Sequence, residues 1–387
     1  MPQFEYINSE EYFDNIRKCK NIICFGAGAK LRQALVLLNN IDIRPTVICD
    51  NNPELWGKTT EFNGESFEIV SYEKVKTELE EYTILLTMSI HNATETYQQM
   101  CDKGEKNNIF QFCNPFKVDN LLLQSKNIDN DFNNYQIVYN KLADDISRKL
   151  FVLNLNYKIT GDMLDLYKMT SGNTFFDEVV IGDQTDAVYV DVGAYTGDTI
   201  LKFLEYCGGK YKHIYGFEAD KGNYVSLCNF IKYGRINDVT LFNQALWSEK
   251  SKLTFYSITD NSEINYDSPN LFRNIDNAID NCTKLVMEKK GKTYGEEQIQ
   301  VEALDNLLAG NNPTIMKINA LAADFQIIKG SKKIIEKYKP VIIMEHGVKP
   351  ENMIEVIFFL NTVRTDYSFY LRQKDIFGDS KTIMYAI

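Results

Sequence analysis

Short apolar runs alternate with stretches of helical spacing along this chain, and the alternation occurs twice. The first series runs through NIICFG (21–26), a helical stretch over LRQALVLLNN, then RPTVICD (44–50), FEIV (67–70), TILLTMS (83–89) and NNIFQFC (107–113). Strands that alternate with helices predict a parallel sheet built by crossovers. Between 120 and 170 the spacing becomes helical, with Ile137, Tyr139 and Leu142 followed by Ile146, Leu150 and Leu153, which predicts a helical connector. The second series starts at AVYVDVG (187–193) and continues through HIYGFE (213–218), VTLFNQAL (239–246), TIMKIN (314–319) and PVIIMEHG (340–347) to YSFYLR (367–372) and KTIMYAI (381–387). Inside it, LTFYSI (253–258) and QIQVEAL (298–304) read as extra strands around a polar, Asn-rich segment at 261–297, a candidate lid. The pattern predicts an α/β protein of two doubly wound sheets, divided as 1–120, a connector at 121–170, and 171–387.

Composition narrows the function more than the fold. The 387 residues are 44% hydrophobic and 25% charged, which excludes a disordered or collagen-like chain. A formal net charge of −11 lacks the electrostatic footprint of a nucleic-acid or anionic-membrane binder. The eight Cys form no CxxC pair and only three His are present, so no metal centre is expected. Cys in apolar runs such as IICFG behaves as a small buried hydrophobe and fits a reducing compartment. The start, MPQFEYINSEEYFDNIRK, has no apolar core, and no run approaches the roughly 18 apolar residues of a membrane span. The expectation is a cytoplasmic protein without a transmembrane segment.

Two glycine turns carry the candidate chemistry. In the first, Gly26 and Gly28 follow an apolar strand and open a helix, where backbone N–H groups can approach a phosphate. Leu31 stands at the third glycine position of the dinucleotide pattern. Asp50 ends the next strand 24 residues after Gly26, where an acid meets a ribose hydroxyl, and Asn51 follows it. Nucleotide or nucleotide-sugar binding at Gly26, Gly28, Asp50 and Asn51 is one reading; a fold that uses the glycines only for its turn is the other. NAD-linked hydride transfer is a third, although no plausible catalytic Tyr-x-x-x-Lys follows in this half. FGAGAK and ICDNNPELWGK resemble the small Rossmann-like domains attached to sugar-modifying enzymes of bacterial surface-polysaccharide pathways.

The second turn, Asp191-Val192-Gly193-Ala194-Tyr195-Thr196-Gly197-Asp198-Thr199, has one strand acid and a Gly-x-x-x-Gly spacing. Glu218 and Ala219 follow at the end of the next strand, with Glu218 25 residues after Gly193. This is the layout of a class I methyltransferase using S-adenosylmethionine (SAM), a sulfonium zwitterion with no pyrophosphate. A carboxylate such as Glu218 suits a ribose diol as a bidentate acceptor. Asp191 suits the methionyl ammonium, and Asn243, Gln244 and Ala245 end the third strand where adenine contacts collect. Another kind of nucleotide-binding half is the competing reading.

On VDVGAYTGDT, YGFEAD, VEALDNLL and the closing YSFYLR and KTIMYAI, residues 135–387 resemble the FkbM-type methyltransferase family. The resemblance implies SAM-dependent O-methylation of a sugar hydroxyl or a related metabolite. The family's stretch after the fourth strand, roughly Lys-hydrophobic-Asp-hydrophobic-Glu-Gly-Ala-Glu, here reads Lys317-Ile318-Asn319-Ala320-Leu321-Ala322-Ala323-Asp324. An alcohol must lose its proton as it attacks a methyl group, and Asn319 accepts none at neutral pH. His346, at the end of the fifth strand, is the candidate base, with Asp324 and Asn319 as the other candidate catalytic positions. Proximity without a strong base is an alternative. The sequence thus supports an O-methyltransferase for a sugar, nucleotide-sugar or glycan precursor, or a degenerate binding protein of glycan enzymes. A homodimer or a glycan-enzyme partner stays open.

Overall fold

Strands buried on both faces read as near-continuous apolar runs, and the central strands of this chain do, with Asp191 and Lys317 as buried charged exceptions. In the computed structural model, residues 4–105, 108–111, 128–160, 164–170, 175–259, 273–274, 293–320, 323–346, 350–375 and 381–387 are described. They fall into two units, Met1–Asn173 with Leu371–Thr382, and Thr174–Tyr370 with Ile383–Ile387.

The first unit contains α1 (Ser9–Arg17), β1 (Ile22–Phe25), α2 (Leu31–Asn40), β2 (Val47–Cys49), β3 (Thr59–Phe62), β4 (Glu65–Val70), α3 (Tyr72–Glu78), β5 (Thr83–Leu86), α4 (Ile90–Asp102) and β6 (Ile109–Gln111). Its sheet has the order β3-β4-β2-β1-β5-β6. All neighbours are parallel except the β3–β4 hairpin. Successive residues of β1 serve opposite faces, as strand geometry requires. Ile22 and Cys24 pack with Phe13, Ile16, Leu35 and Leu38, whereas Ile23 and Phe25 pack with Tyr72, Val75, Ala93 and Met100. The hairpin strand β3 adds to the expected series. Its Asn63-Gly64 turn has both residues at positive φ, 51° and 79°, the conformation that an Asn-Gly hairpin turn favours. Three helices follow and group with this unit: α5 (Phe132–Lys141), α6 (Asp145–Thr160) and α7 (Leu164–Lys168).

The second unit opens with α8 (Glu178–Ile181), β7 (Val188–Val192), α9 (Asp198–Tyr206), β8 (His213–Phe217), α10 (Lys221–Tyr233) and β9 (Val239–Phe242). After a side sheet it continues with α11 (Leu304–Leu307), β14 (Ile315–Ile318), α12 (Asp324–Lys329), α13 (Lys332–Tyr338), β15 (Val341–His346) and α14 (Pro350–Val363). The chain closes on β16 (Phe369–Asp375) and β17 (Lys381–Ala386). The main sheet runs β16-β17-β15-β14-β7-β8-β9. Strands β15, β14, β7, β8 and β9 are parallel neighbours. Strand β7 lies where the order reverses, so the carboxyl ends of β7 and β14 border the crevice in which such sheets bind ligands. The α/β class and the two doubly wound sheets expected from the sequence are both present.

The side sheet has the order β10-β13-β11-β12, from β10 (Ala245–Leu246), β11 (Ser251–Thr259), β12 (Arg273–Asn274) and β13 (Thr293–Glu302). Its long antiparallel pair matches Ser251 with Val301 and Thr259 with Thr293, so both extra strands are longer than the sequence suggests. The segment expected to form a lid, 261–297, lies outside the described residues apart from the strand residues 273–274 and 293–297.

Candidate functional site

Strand β7 delivers its chain into a turn that only particular residues can make. The N–H groups of Gly193 and Ala194 both donate to the Phe217 carbonyl at 3.0 Å, which bends the chain over the end of β8. Gly193 has φ +73°, and a Cβ there would stand 2.1 Å from the Asn319 carbonyl oxygen. Gly197 has φ +100°, and a Cβ there would stand 2.3 Å from the Phe230 ring. Both glycines therefore permit close packing of the turn, against the exit of β14 and against α10. Tyr195 adopts φ +49°, and its N–H donates to Glu218 Oε2 at 2.8 Å. Asp198, exposed, begins α9.

Glu218 is 6% exposed and stands at the end of β8. Its other oxygen, Oε1, accepts the Asp220 N–H at 2.9 Å. Burial pushes its carboxyl up to about 6, against the pull of those two backbone bonds. A carboxylate has about four acceptor positions, so the two bonds leave acceptor capacity for two hydroxyl donors. The Asn243 amide donates to the carbonyls of Glu218 at 2.9 Å and Ala219 at 3.1 Å, which fixes the segment behind the carboxylate. Gln244 donates instead to the Gln300 carbonyl at 2.8 Å, and Ala245 pairs with Val301, so these two residues join the side sheet to the site.

Asp191 is fully buried, and its carboxylate is already engaged. Lys317 Nζ lies 3.0 Å from Oδ1, and the Thr199 hydroxyl donates to Oδ2 at 2.6 Å. Lys317, 2% exposed, also donates to the Gly193 carbonyl at 3.0 Å. The register sets Lys317 opposite Asp191 on adjacent strands. Lys317 was not among the residues expected at the site. Its signal in the sequence is a single lysine inside the apolar run TIMKIN, which calls for a buried counter-charge, and Asp191 in AVYVDVG is the counterpart.

Beside the turn, Asn319 leaves β14 with its N–H bound to the Val192 carbonyl at 3.0 Å. Asp324 opens α12, and its carboxylate accepts the Ala320 N–H at 2.8 Å. Burial pushes the Asp324 carboxyl up; the Ala320 bond and the Lys317 charge oppose this, and the Glu345 charge reinforces it. His346 is the last residue of β15, but its side chain lies outside the described residues, as do Leu321 and Ala322. The turn after β7, Glu218, Thr199, Asp191 and the backbone of Asn319 are thus brought together by direct contacts.

In the first unit, Gly26 has φ +118°, and a Cβ there would lie 3.2 Å from the Thr87 carbonyl oxygen. Its N–H donates to the Cys49 carbonyl at 2.8 Å, and the Thr87 hydroxyl donates to its carbonyl at 2.8 Å. Asp50 accepts the Ala27 N–H at 2.7 Å on one oxygen and the Asn52 N–H at 2.8 Å on the other. A carboxylate of the chain itself therefore sits on an N–H group of the turn that a phosphate would otherwise use. Asn51 is exposed, and a Cβ at Gly28 would meet nothing within 4 Å. Among the described residues no group of three or more His, Cys, Asp or Glu is placed to hold a metal ion, and no helix is long and apolar enough to cross a membrane.

Comparison with known proteins agrees with this geometry. The family model described as the methyltransferase FkbM domain matches residues 191–369, from the acid of β7 to the start of β16. The second unit therefore carries an FkbM-type methyltransferase domain. A crystal structure of the methyltransferase FkbM from Methylobacillus flagellatus matches at 15% identity and a TM-score of 0.62, over 99% of this chain and 94% of that one. At that identity the likeness is one of fold. Two looser matches are a precorrin-6y C5,15-methyltransferase from Geobacter metallireducens and an Aeropyrum pernix fibrillarin with natively bound S-adenosyl-L-methionine. The first has 14% identity, a TM-score of 0.31 and coverage of 54% of this chain and 82% of that chain. The second has 11%, 0.30, 53% and 67%. No curated protein matches.

Proposed function

We propose that the chain is a SAM-dependent O-methyltransferase acting on a sugar, nucleotide-sugar or glycan precursor. The observation that carries this reading is Glu218, a buried carboxylate bound to the Gly193–Tyr195 turn and retaining acceptor capacity for a ribose diol. The match of residues 191–369 to a methyltransferase family supports it. SAM supplies an electrophilic methyl group on a sulfonium.

The chain's own residues have distinct tasks. Glu218 holds the two ribose hydroxyls, and the turn at Gly193–Tyr195 receives the methionyl part by backbone contacts. Asn243 holds the Glu218–Ala219 segment that borders the adenine side. The acceptor hydroxyl would approach past the carboxyl ends of β14 and β15, where Asp324 or His346 would take its proton. Asp324 suits this task because a raised carboxyl is a stronger base. The first unit presents the substrate or docks a glycan enzyme. The cysteine usage and acidic charge support a cytoplasmic setting.

A second reading rests on Asn319, an amide where the family has a carboxylate. In that reading the domain binds SAM or a nucleotide-sugar without turnover. Calorimetry with SAM, using wild type and Glu218→Ala, tests the shared part of both readings. Absence of binding, or undiminished binding by the variant, rejects the methyltransferase and any SAM binder, and leaves only a nucleotide-sugar binder. Restoring acids at 319 and 321 separates them: methyl transfer seen only in the restored protein favours the binder, and turnover by the native chain removes it. Native mass spectrometry of the purified protein identifies what it carries.

A further inference from the structure

We infer that Lys317 is a positioning residue: its buried ammonium shapes the Gly193–Tyr195 turn for the cofactor and ties it to the strand end that carries Asn319. The inference rests on the SAM-binding reading above and deepens it.

A buried lysine is retained only where its charge is paired and its donors are used. Lys317 meets both conditions through β7. It pairs with Asp191 at 3.0 Å and donates to the Gly193 carbonyl at 3.0 Å. The Phe175 ring covers it, 5.7 Å from the ammonium. Asp191 alone would have been a sufficient partner for holding two strands together. The bond to Gly193 is different, because it reaches beyond the strand into the turn. The peptide groups of that turn are then fixed in sequence. The Gly193 carbonyl is held by Lys317, the Gly193 and Ala194 N–H groups by Phe217, and the Tyr195 N–H by Glu218. Without Lys317, the Gly193–Ala194 peptide is held only through the Ala194 N–H bond to Phe217, so its plane can tilt, and the tilt displaces that N–H and the start of the turn.

The same cation links the turn to the acceptor side. Lys317 lies two residues before Asn319 on one strand, and the Asn319 carbonyl oxygen is packed against Gly193 so closely that no Cβ fits between them. Asp191 is thereby withdrawn from the cofactor: its carboxylate is buried beneath the turn, answering Lys317 and Thr199. The geometry assigns the methionyl end to the shape of the turn rather than to the charge of Asp191.

The test separates support of the fold from shaping of the turn. Lys317→Met alone leaves Asp191 charged and buried, so it is combined with Asp191→Asn. This double variant is expected to melt near wild type yet to bind SAM at least tenfold more weakly by calorimetry. A second pair, Lys317→Gln with Asp191→Asn, keeps a polar bond between the strands but is too short to reach Gly193, and the same tenfold loss is expected. It decides the matter if the first pair does not fold. Wild-type affinity in either folded double variant overturns the inference, since the pair would then serve the fold alone. If wild type itself does not bind SAM, the functional reading fails instead.

Discussion

The Asn319 carbonyl oxygen occupies the space that a side chain on Gly193 would need, 2.1 Å from where its Cβ would stand. The turn after β7 and the exit of β14 are therefore in backbone contact, with no side chain able to give way. Gly193→Ala must relieve both this clash and a φ of +73°. It is expected to lower stability by at least about 2 kcal/mol in denaturant unfolding and to abolish SAM binding. Gly197→Ala also has an unfavourable φ, but its Cβ meets the Phe230 ring, a side chain that can turn aside. Its expected loss is smaller, about 1 kcal/mol. Equal losses would contradict the distinction between backbone and side-chain contact.

The raised carboxyl of Glu218 gives SAM binding a predictable dependence on pH. Ribose hydroxyls donate to the ionised form, which dominates above about pH 6. Binding should be nearly constant from pH 7 upward. It should weaken by about tenfold between pH 7 and pH 5, as one proton is taken up. Glu218→Gln removes the titration, leaving weaker binding that does not vary over this range. Calorimetry across the pH series checks both curves, and an unchanged slope in the variant assigns the titration to another group.

Much of this was legible in the sequence, for reasons that differ by element. The two sheets were readable because NIICFG, TILLTMS, AVYVDVG and PVIIMEHG are buried runs punctuated by glycine, and such runs have few alternatives. The position of Glu218 beside the turn was readable because a strand-end acid follows the glycine turn by one strand–helix–strand length. Strand β3 was missed, although Asn63-Gly64 signals a hairpin, because Thr59–Phe62 alternates half-exposed and exposed residues and has little apolar content. The engagement of Asp191 was also missed. Its partner Lys317 is distant in sequence, and only the register of β7 against β14 brings the two charges together.

Among the described residues of the first unit, Arg372 and Asp144 form the least exposed ion pair, 2.8 Å apart with side-chain exposures of 11% and 31%. Burial raises the Asp144 carboxyl, but bonds from Arg372 and Ser147 together with the Arg372 charge outweigh it and hold it below its usual value. Stability from this pair is present above the ordinary carboxylate pKa and is lost as pH falls through the lowered one. Arg372→Met leaves Asp144 with Ser147 but without its cation and, for a pair with the carboxylate partly exposed, is expected to cost about 1–2 kcal/mol near neutral pH. The cost should shrink in acid, because the wild type loses the same contribution there. Chemical denaturation in a series from pH 7 downward makes the comparison, and a cost constant throughout would show that packing rather than charge is at work.

In the proposed reading Asp324 takes the acceptor's proton and Glu218 holds the ribose. Its carboxylate is anchored by the Ala320 N–H at 2.8 Å, and burial raises its pKa. A base must be ionised to accept the hydroxyl proton, so the methyl-transfer rate should fall as pH drops through that raised value and level off above it. Asp324→Asn keeps the size of the group but cannot accept the proton. The expected outcome is a loss of about 10²- to 10⁴-fold in rate with SAM affinity within a factor of about three. His346→Ala, measured beside it, divides the roles. If only the histidine variant loses turnover, the proton goes to the end of β15. If only the Asp324 variant does, the base is on α12, where the family's last acid has been kept.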